Sequence, residues 1–144
     1  MKSLGLCVGA SSIGYVILEK GYEIINILEQ KLIPHEGNPR RVIEEIIHLD
    51  KFKSIDKVTI TGRKFRNMID ASSISEPEAI EYAYEYMAGI NSGLKEAKLI
   101  VSGGGETFLA YELDKNGKII NVYTGNKCAS GTGEFFLQQL KRMD

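Results

Sequence analysis

Histidine and cysteine are scarce in this chain, and their scarcity limits the chemistry that it can carry. The 144 residues include two histidines, His35 and His48, and two cysteines, Cys7 and Cys128. The cysteines fit neither a CxxC pair nor a zinc-finger spacing, so a metal site made within one chain lacks ligands. A catalytic apparatus based on histidine or zinc is poorly supplied for the same reason. Both thiols are expected to be reduced.

An excess of charge of either sign is also missing. The chain has 18 basic and 19 acidic residues and a net charge of −1. It has no long basic run, which disfavours a nucleic-acid partner. The apolar stretches are short and interrupted by charge, so no membrane span and no membrane partner are expected. The start, "MKSLGLCVGASS", lacks an apolar signal core, and a cytoplasmic protein is therefore expected.

Strand and helix patterns follow one another in a regular order along the chain. Three apolar stretches, 4–8, 13–20 and 22–35, are separated by turn residues and predict an antiparallel meander. Further predicted elements are a helix opened by Asn38 and Pro39, a strand over 57–62, a helix capped by Ser75, a strand over 98–105, a hairpin at Asn116-Gly117 and a helix after Gly133. The pattern therefore predicts an α/β protein.

Part of this order occurs twice. Residues 4–20 and 98–114 each contain a strand that ends in a glycine-rich turn and leads into a hairpin strand. The repeat predicts two related lobes, 1–96 and 97–144. The second round stops after its first helix, so the second lobe is expected to be incomplete.

The two repeated turns are candidate phosphate-binding sites. Glycine at such a bend lets backbone N–H groups approach an anion closely. The alternative for each stretch is an ordinary tight β-turn. The candidate residues are Gly9, Ala10, Ser11 and Ser12 in the first turn and Gly103, Gly104, Gly105, Glu106 and Thr107 in the second.

A third glycine-rich stretch, "CASGTGEFF", precedes the last predicted helix. Gly131, Thr132 and Gly133 are candidates to bind an anion at the start of this helix, where free N–H groups and the helix dipole favour negative charge. The alternative is a simple N-cap by Thr132. A thiolate just before a helix start is stabilised, so Cys128 is a candidate ligand of a metal cluster or a candidate redox residue. A purely structural cysteine remains the alternative.

Together these motifs resemble a known family. The stretches "GLCVGASSIGYVIL", "VTITGRKF", "ISEPEAI", "IVSGGGETFLAYELDKNGKI" and "GNKCASGTGEFFLQQL" are similar, in order and spacing, to the BadF/BadG/BcrA/BcrD-type ATPases. These proteins are the activators of 2-hydroxyacyl-CoA dehydratases and the ATP-using subunits of benzoyl-CoA reductase. The resemblance covers essentially the whole chain.

The resemblance carries expectations of fold, cofactors and partners. It implies a ribonuclease-H-like, actin-like ATPase fold, with a mixed five-stranded sheet, flanking helices and ATP between two lobes. It also implies a homodimer that holds one [4Fe-4S] cluster through two cysteines from each subunit, the first of which matches Cys128. ATP would then drive a low-potential electron into an acyl-CoA dehydratase or reductase component.

The chain departs from the family pattern where the family carries acids that organise Mg²⁺. Cys7 stands at the first such position, and Ser102 and Thr107 stand in the second turn, where Glu106 is the acid that remains. A shifted register would place Val101, instead of Ser102, at an acidic position. Carboxylates are the natural ligands of Mg²⁺, so their loss weakens the expectation of Mg-ATP chemistry.

These departures leave other functions open. One is a degenerate nucleotide-binding fold that serves as a scaffold or interaction module. A sugar or acetate kinase shares the fold but is less favoured, since no catalytic base can be assigned. Because the family's second cluster cysteine and the adenosine-binding part of the second lobe are expected to be missing, the chain is expected to lack ATPase activity on its own.

Overall fold

The computed structural model describes residues 1–22, 24–62, 70–105 and 107–125, together with Leu140 and Arg142. The chain forms two compact units, Met1–Glu76 and Pro77–Asp144. The lobe boundary expected between residues 96 and 97 stays a prediction.

The first unit is built on a mixed five-stranded sheet. Strands β1 (Lys2–Val8), β2 (Ser12–Lys20) and β3 (Ile25–Pro34) form the expected antiparallel meander. Strands β4 (Lys57–Thr61) and β5 (Ser72–Ser73) extend the sheet in parallel with β1, giving the order β3-β2-β1-β4-β5. The mixed five-stranded sheet implied by the family resemblance is thereby confirmed.

One face of this sheet forms the core of the first unit. Alternate residues of β1 and β2 lie on this face because side chains in a strand have a period of two. Helix α1 (Pro39–Ile47) covers them, and it begins where the Asn38 side chain accepts a hydrogen bond from the Arg41 N–H. Each buried aliphatic side chain contributes about 1.5–3 kcal/mol. The buried residues of this core are Leu4, Leu6, Val8, Ile13, Tyr15, Ile17, Val42, Ile46 and Ile60.

A 3₁₀ helix, Asp50–Ser54, connects α1 to β4 and adds to this core. The Phe52 ring packs edge-on against the Tyr15 ring, with 5.5 Å between ring centroids. The apolar pattern around Phe52 is too short to predict this element from sequence.

The second unit contains a helix and an antiparallel sheet. Helix α2 (Glu76–Ile90) begins at the boundary between the units and is followed by a 3₁₀ helix, Ser92–Glu96. Strands β6 (Leu99–Gly103), β7 (Phe108–Leu113) and β8 (Ile119–Thr124) form a three-stranded meander.

The β7–β8 turn is the hairpin expected at Asn116-Gly117. Gly117 has a φ of 78° and donates its N–H to the Asp114 carbonyl over 3.1 Å. A Cβ at this position would lie 2.5 Å from the Tyr84 ring of α2. Glycine is therefore required here by both backbone conformation and helix contact.

Candidate functional site

The first candidate turn joins β1 to β2. Val8 pairs with Ile13 at the end of the ladder, and the Gly9 N–H donates to the Ser12 carbonyl over 2.9 Å. Ala10 and Ser11, at the tip, are exposed. Among the described residues, no acceptor contacts the N–H of Ala10 or of Ser11. Exposed N–H groups without an acceptor can bind an anion.

The carbonyl groups of this turn are held by protein donors. The Ser11 carbonyl accepts the backbone N–H of His35 over 3.1 Å. The Gly9 carbonyl lies 3.2 Å from Nε2 of the same histidine. Since the Ser12 carbonyl accepts from Gly9, three turn carbonyls are satisfied within the protein and do not compete for an anion at the tip.

Gly62, which follows β4, packs directly against the strand that leads into this turn. It has a φ of 125°, a conformation available almost only to glycine. A Cβ there would overlap the Val8 carbonyl oxygen and lie 3.1 Å from the Val8 nitrogen. The end of β4 can therefore approach Val8 closely because residue 62 has no side chain.

The second candidate turn, between β6 and β7, repeats the geometry of the first. The Gly104 N–H donates to the Thr107 carbonyl over 2.8 Å. Gly103 pairs with Phe108, as Val8 pairs with Ile13. The bonded glycines, Gly9 and Gly104, are 95 positions apart, and the strand pairings show the same offset. The internal repeat expected from the sequence is thus present as matching backbone structure.

This offset makes Cys7 and Ser102 equivalent in the two hairpins. Cys7 pairs with Gly14 and Ser102 with Leu109, both two residues before the glycine that opens the turn. Ser102, and not Val101, is therefore the structural counterpart of Cys7. Neither side chain is a carboxylate, so the chain lacks at both places the acids that the family resemblance implies.

Cys7 has a protonated thiol under ordinary conditions. Although the residue is exposed, partial desolvation of the thiol and the nearby Glu76 carboxylate raise the Cys7 pKa above its ordinary value of 9.0. Thr61 pairs with Cys7 across the parallel β1–β4 ladder. Its Oγ1 is buried and has no hydrogen-bond partner among the described residues. Desolvation and the Glu76 carboxylate thus favour a neutral thiol over a thiolate at Cys7.

Several candidate residues lie outside the part of the chain that the structure describes. They are Glu106, Cys128, Gly131, Thr132 and Gly133. Within the described ranges, no group of three or more His, Cys, Asp or Glu side chains could hold a metal ion. The helices in those ranges include none that is both long enough and apolar enough to cross a bilayer.

Sequence reasoning missed two residues that shape the first turn. The sequence pattern marks His35 only as one of two histidines and Gly62 only as the last residue of a predicted strand. The short "PHEGNP" segment between a strand and a capped helix does signal a constrained connection. No local signal, however, could pair His35 with a turn 26 residues earlier in the chain.

The chain is similar in sequence to activators of acyl-CoA dehydratases. No family model matches the chain. It is 30% identical, over 138 residues, to a 2-hydroxyisocaproyl-CoA dehydratase activator of Clostridioides difficile, covering 94% of this chain and 50% of that protein. An activator of lactoyl-CoA dehydratase from Anaerotignum propionicum is also 30% identical, with 94% of this chain and 51% of the relative covered.

A solved structure gives the same result. The activator of 2-hydroxyisocaproyl-CoA dehydratase from Clostridium difficile, with bound ADPNP, superposes on this chain with a TM-score of 0.69 at 27% identity. The superposition covers 100% of this chain and 53% of the activator chain. The chain thus spans about half the length of the curated relatives it matches. The expected actin-like ATPase fold is confirmed. Over nearly its whole length, the chain is a relative of the activators of 2-hydroxyacyl-CoA dehydratases.

Proposed function

We propose that the chain forms part of an activator that uses ATP to drive an acyl-CoA dehydratase or reductase component. Two kinds of observation support this proposal. The relatives named above activate dehydratases of 2-hydroxyisocaproyl-CoA and lactoyl-CoA, and one was solved with the ATP analogue ADPNP bound. The identity of the acyl-CoA partner, a homodimeric state and a cytoplasmic location stay predictions.

The observation that carries the nucleotide part of the proposal is the repeated glycine turn. In each hairpin a glycine N–H closes the turn onto the carbonyl three residues later, at 2.9 Å from Gly9 and 2.8 Å from Gly104. In the first turn this leaves the N–H groups of Ala10 and Ser11 without an acceptor among the described residues. We assign these groups to phosphate oxygens, which accept hydrogen bonds from backbone nests of this kind.

Magnesium does not fit the side chains present at the two equivalent positions. Mg²⁺ is bound through carboxylate and other oxygen ligands in octahedral geometry. Cys7 offers a thiol whose raised pKa keeps it protonated, and Ser102 offers a neutral hydroxyl. No step through Mg²⁺ is therefore assigned to these residues, and slow or absent hydrolysis is expected.

The electron-transfer part of the proposal depends on Cys128. A [4Fe-4S] cluster, held by four thiolates, transfers single electrons. Cys7 is a poor candidate ligand, because it lies within the β1 ladder and its pKa is raised. Cys128 is the other cysteine, and one thiolate from each of two subunits is an incomplete ligand set. No step is assigned to the cluster from these residues alone.

Calorimetric titration of ATP, ADP and ADPNP tests the nucleotide proposal in a form of the protein that spans the full length of its relatives, of which these residues cover about half. Binding is expected for wild type and for Ser11→Ala, which keeps the backbone N–H. Ala10→Pro removes the Ala10 N–H and is expected to weaken binding by on the order of tenfold. Because the acids are absent, adding Mg²⁺ is expected to change the affinity little. Absence of heat with every nucleotide would reject the proposal and favour a scaffold.

Anaerobic reconstitution with iron and sulfide tests the cluster proposal in a form of the protein that spans the full length of its relatives, because a [4Fe-4S] cluster needs four thiolates and Cys128 supplies one per subunit. Wild type and Cys7→Ala are expected to develop the same iron–sulfur absorption band, whereas Cys128→Ala is expected to lose it. A band that persists in Cys128→Ala, or that never forms in wild type, would contradict the assignment of Cys128.

A further inference from the structure

We propose that His35 is a positioning residue, which aims the backbone N–H of Ala10 in the first turn outward for phosphate binding. The inference rests on the proposed nucleotide function, because it explains how that turn is prepared for an anion. His35 is 3% exposed and lies between β3 and α1. Burying a polar ring is unfavourable unless its nitrogens are hydrogen-bonded.

The two ring contacts define the protonation of the imidazole. The Gly37 N–H donates to Nδ1 of His35 over 3.1 Å. A nitrogen that accepts a hydrogen bond carries no proton, so the proton of the neutral ring lies on Nε2. Nε2 is 3.2 Å from the Gly9 carbonyl oxygen and therefore donates to it. Gly37 thus selects the tautomer that can hold the turn.

The geometry of the peptide bond transmits this contact to the site. In a planar trans peptide the carbonyl of one residue and the N–H of the next point in opposite directions. With the Gly9 carbonyl directed at His35, the Ala10 N–H is directed away from it. The backbone N–H of His35 also holds the Ser11 carbonyl over 3.1 Å, which fixes the next but one peptide of the turn, Ser11–Ser12.

Both carbonyls would otherwise be free to turn toward the tip. A peptide at a glycine rotates easily, since glycine accepts many backbone conformations. A flipped Gly9–Ala10 peptide would present a carbonyl oxygen, and not an N–H, to the phosphate. His35 therefore acts on the anion through the backbone of Gly9 and does not need to touch the ligand.

Two conservative substitutions separate the two ring contacts. His35→Gln places an amide N–H near the position of Nε2 and can still donate to Gly9. His35→Asn reaches only the position of Nδ1, so it can accept from Gly37 but not donate to Gly9. We expect Gln to retain affinity for ADPNP and inorganic tripolyphosphate within about threefold, and Asn to lose on the order of tenfold.

A stability control distinguishes positioning from simple unfolding. Val42→Ala, in α1, creates a cavity in the core of the same unit, where Val42 is 1% exposed and makes none of the hydrogen bonds of the turn. It is expected to lower the melting temperature while leaving the affinity of the folded protein unchanged. Equal affinities of the Gln and Asn variants, whether both strong or both weak, would overturn the role of His35.

A measurement without ligand keeps this test separate from that of the nucleotide proposal. N–H residual dipolar couplings report the direction of the Ala10 N–H in the free protein. They are expected to be preserved in His35→Gln and changed in His35→Asn. If wild type binds neither probe, the nucleotide proposal fails and phosphate binding fails with it. An unchanged coupling in His35→Asn would refute the positioning role itself.

Discussion

The hairpins β1–β2 and β6–β7 have the same turn and the same pairing register, yet they bury opposite faces. The buried residues of β1 include Leu4 and Leu6, which are both 3% exposed, whereas their counterparts Leu99 and Val101 are 51% and 52% exposed. Conversely, Leu109 is 1% exposed, and its counterpart Gly14 is half-buried. A repeated backbone therefore does not imply a repeated core.

The difference follows from what covers each sheet. In the first unit α1 packs Val42 and Ile46 onto the face that carries Leu4 and Leu6. In the second unit the described contacts come from α2, where Glu81 accepts the Ile119 N–H over 2.8 Å. The turn geometry is set locally by glycine, whereas the face that a sheet buries depends on the element that packs on it, as α1 does in the first unit.

The largest expected effect comes from Gly62, which restrains only the first hairpin. Gly62→Ala is expected to cost more than about 4 kcal/mol in free energy of unfolding, because the new Cβ overlaps Val8 and the φ of 125° is unfavourable for alanine. Urea unfolding would measure the loss. Gly37→Ala is the control. Its φ is 84°, but beyond its two chain neighbours no atom of the described residues lies within 4 Å of the new Cβ, so about 1 kcal/mol is expected. Equal losses would contradict the steric explanation.

A leucine pair tests the opposite burial directly. Leu4→Ala removes a side chain that is 3% exposed and is expected to cost about 2–5 kcal/mol. Leu99→Ala, the same substitution 95 positions later at 51% exposure, is expected to change stability by no more than about 0.5 kcal/mol. Denaturant midpoints of the two variants give the comparison. Similar losses at both positions would show that the two hairpins bury the same face.

The smallest expected effect is acid sensitivity at the helix contact of the second unit. Hydrogen bonds from the Ile119 N–H and the Lys118 ammonium lower the Glu81 pKa below its ordinary value of 4.5. A lowered folded-state pKa gives stability that is present above the ordinary value and lost as the pH falls through the folded-state pKa. Glu81→Gln should therefore show less loss of stability than wild type between about pH 7 and about pH 3. Identical acid profiles would exclude Glu81 as a contributor.

Much of the fold could be predicted from the sequence because its signals are local. Glycine turns and strand alternation predicted the meander of the first unit, and Asn116-Gly117 predicted the β7–β8 hairpin. The buried face of β6 could not be predicted, since "LIV" is apolar at every position and both faces match a core. The two-residue strand β5 is too short to leave a pattern.

The two turns of the candidate site could also be predicted from the sequence, whereas the residues that support the first turn could not. Glycine and small residues identified both turns, and the shared register links Cys7 to Ser102, one of the two positions that the family resemblance left open. The support beneath the first turn was not predictable, because His35 and Gly62 act through contacts with residues far away in sequence. Such contacts depend on the order of strands in the sheet, which no single stretch of sequence encodes.

The hydrogen bond from His35 to the Gly9 carbonyl also affects the order in which the first unit folds. The turn at residues 9–12 is synthesised before residue 35, because the chain is made from its N-terminal side onward. The Gly9 carbonyl, however, can form its hydrogen bond only after His35, 26 residues later, has been synthesised. Gly37 must then set the tautomer of that partner, and Asn38 caps α1 by accepting the Arg41 N–H. The turn is thus completed only when β3 and the start of α1 are in place, so phosphate affinity should report that the first unit has finished folding.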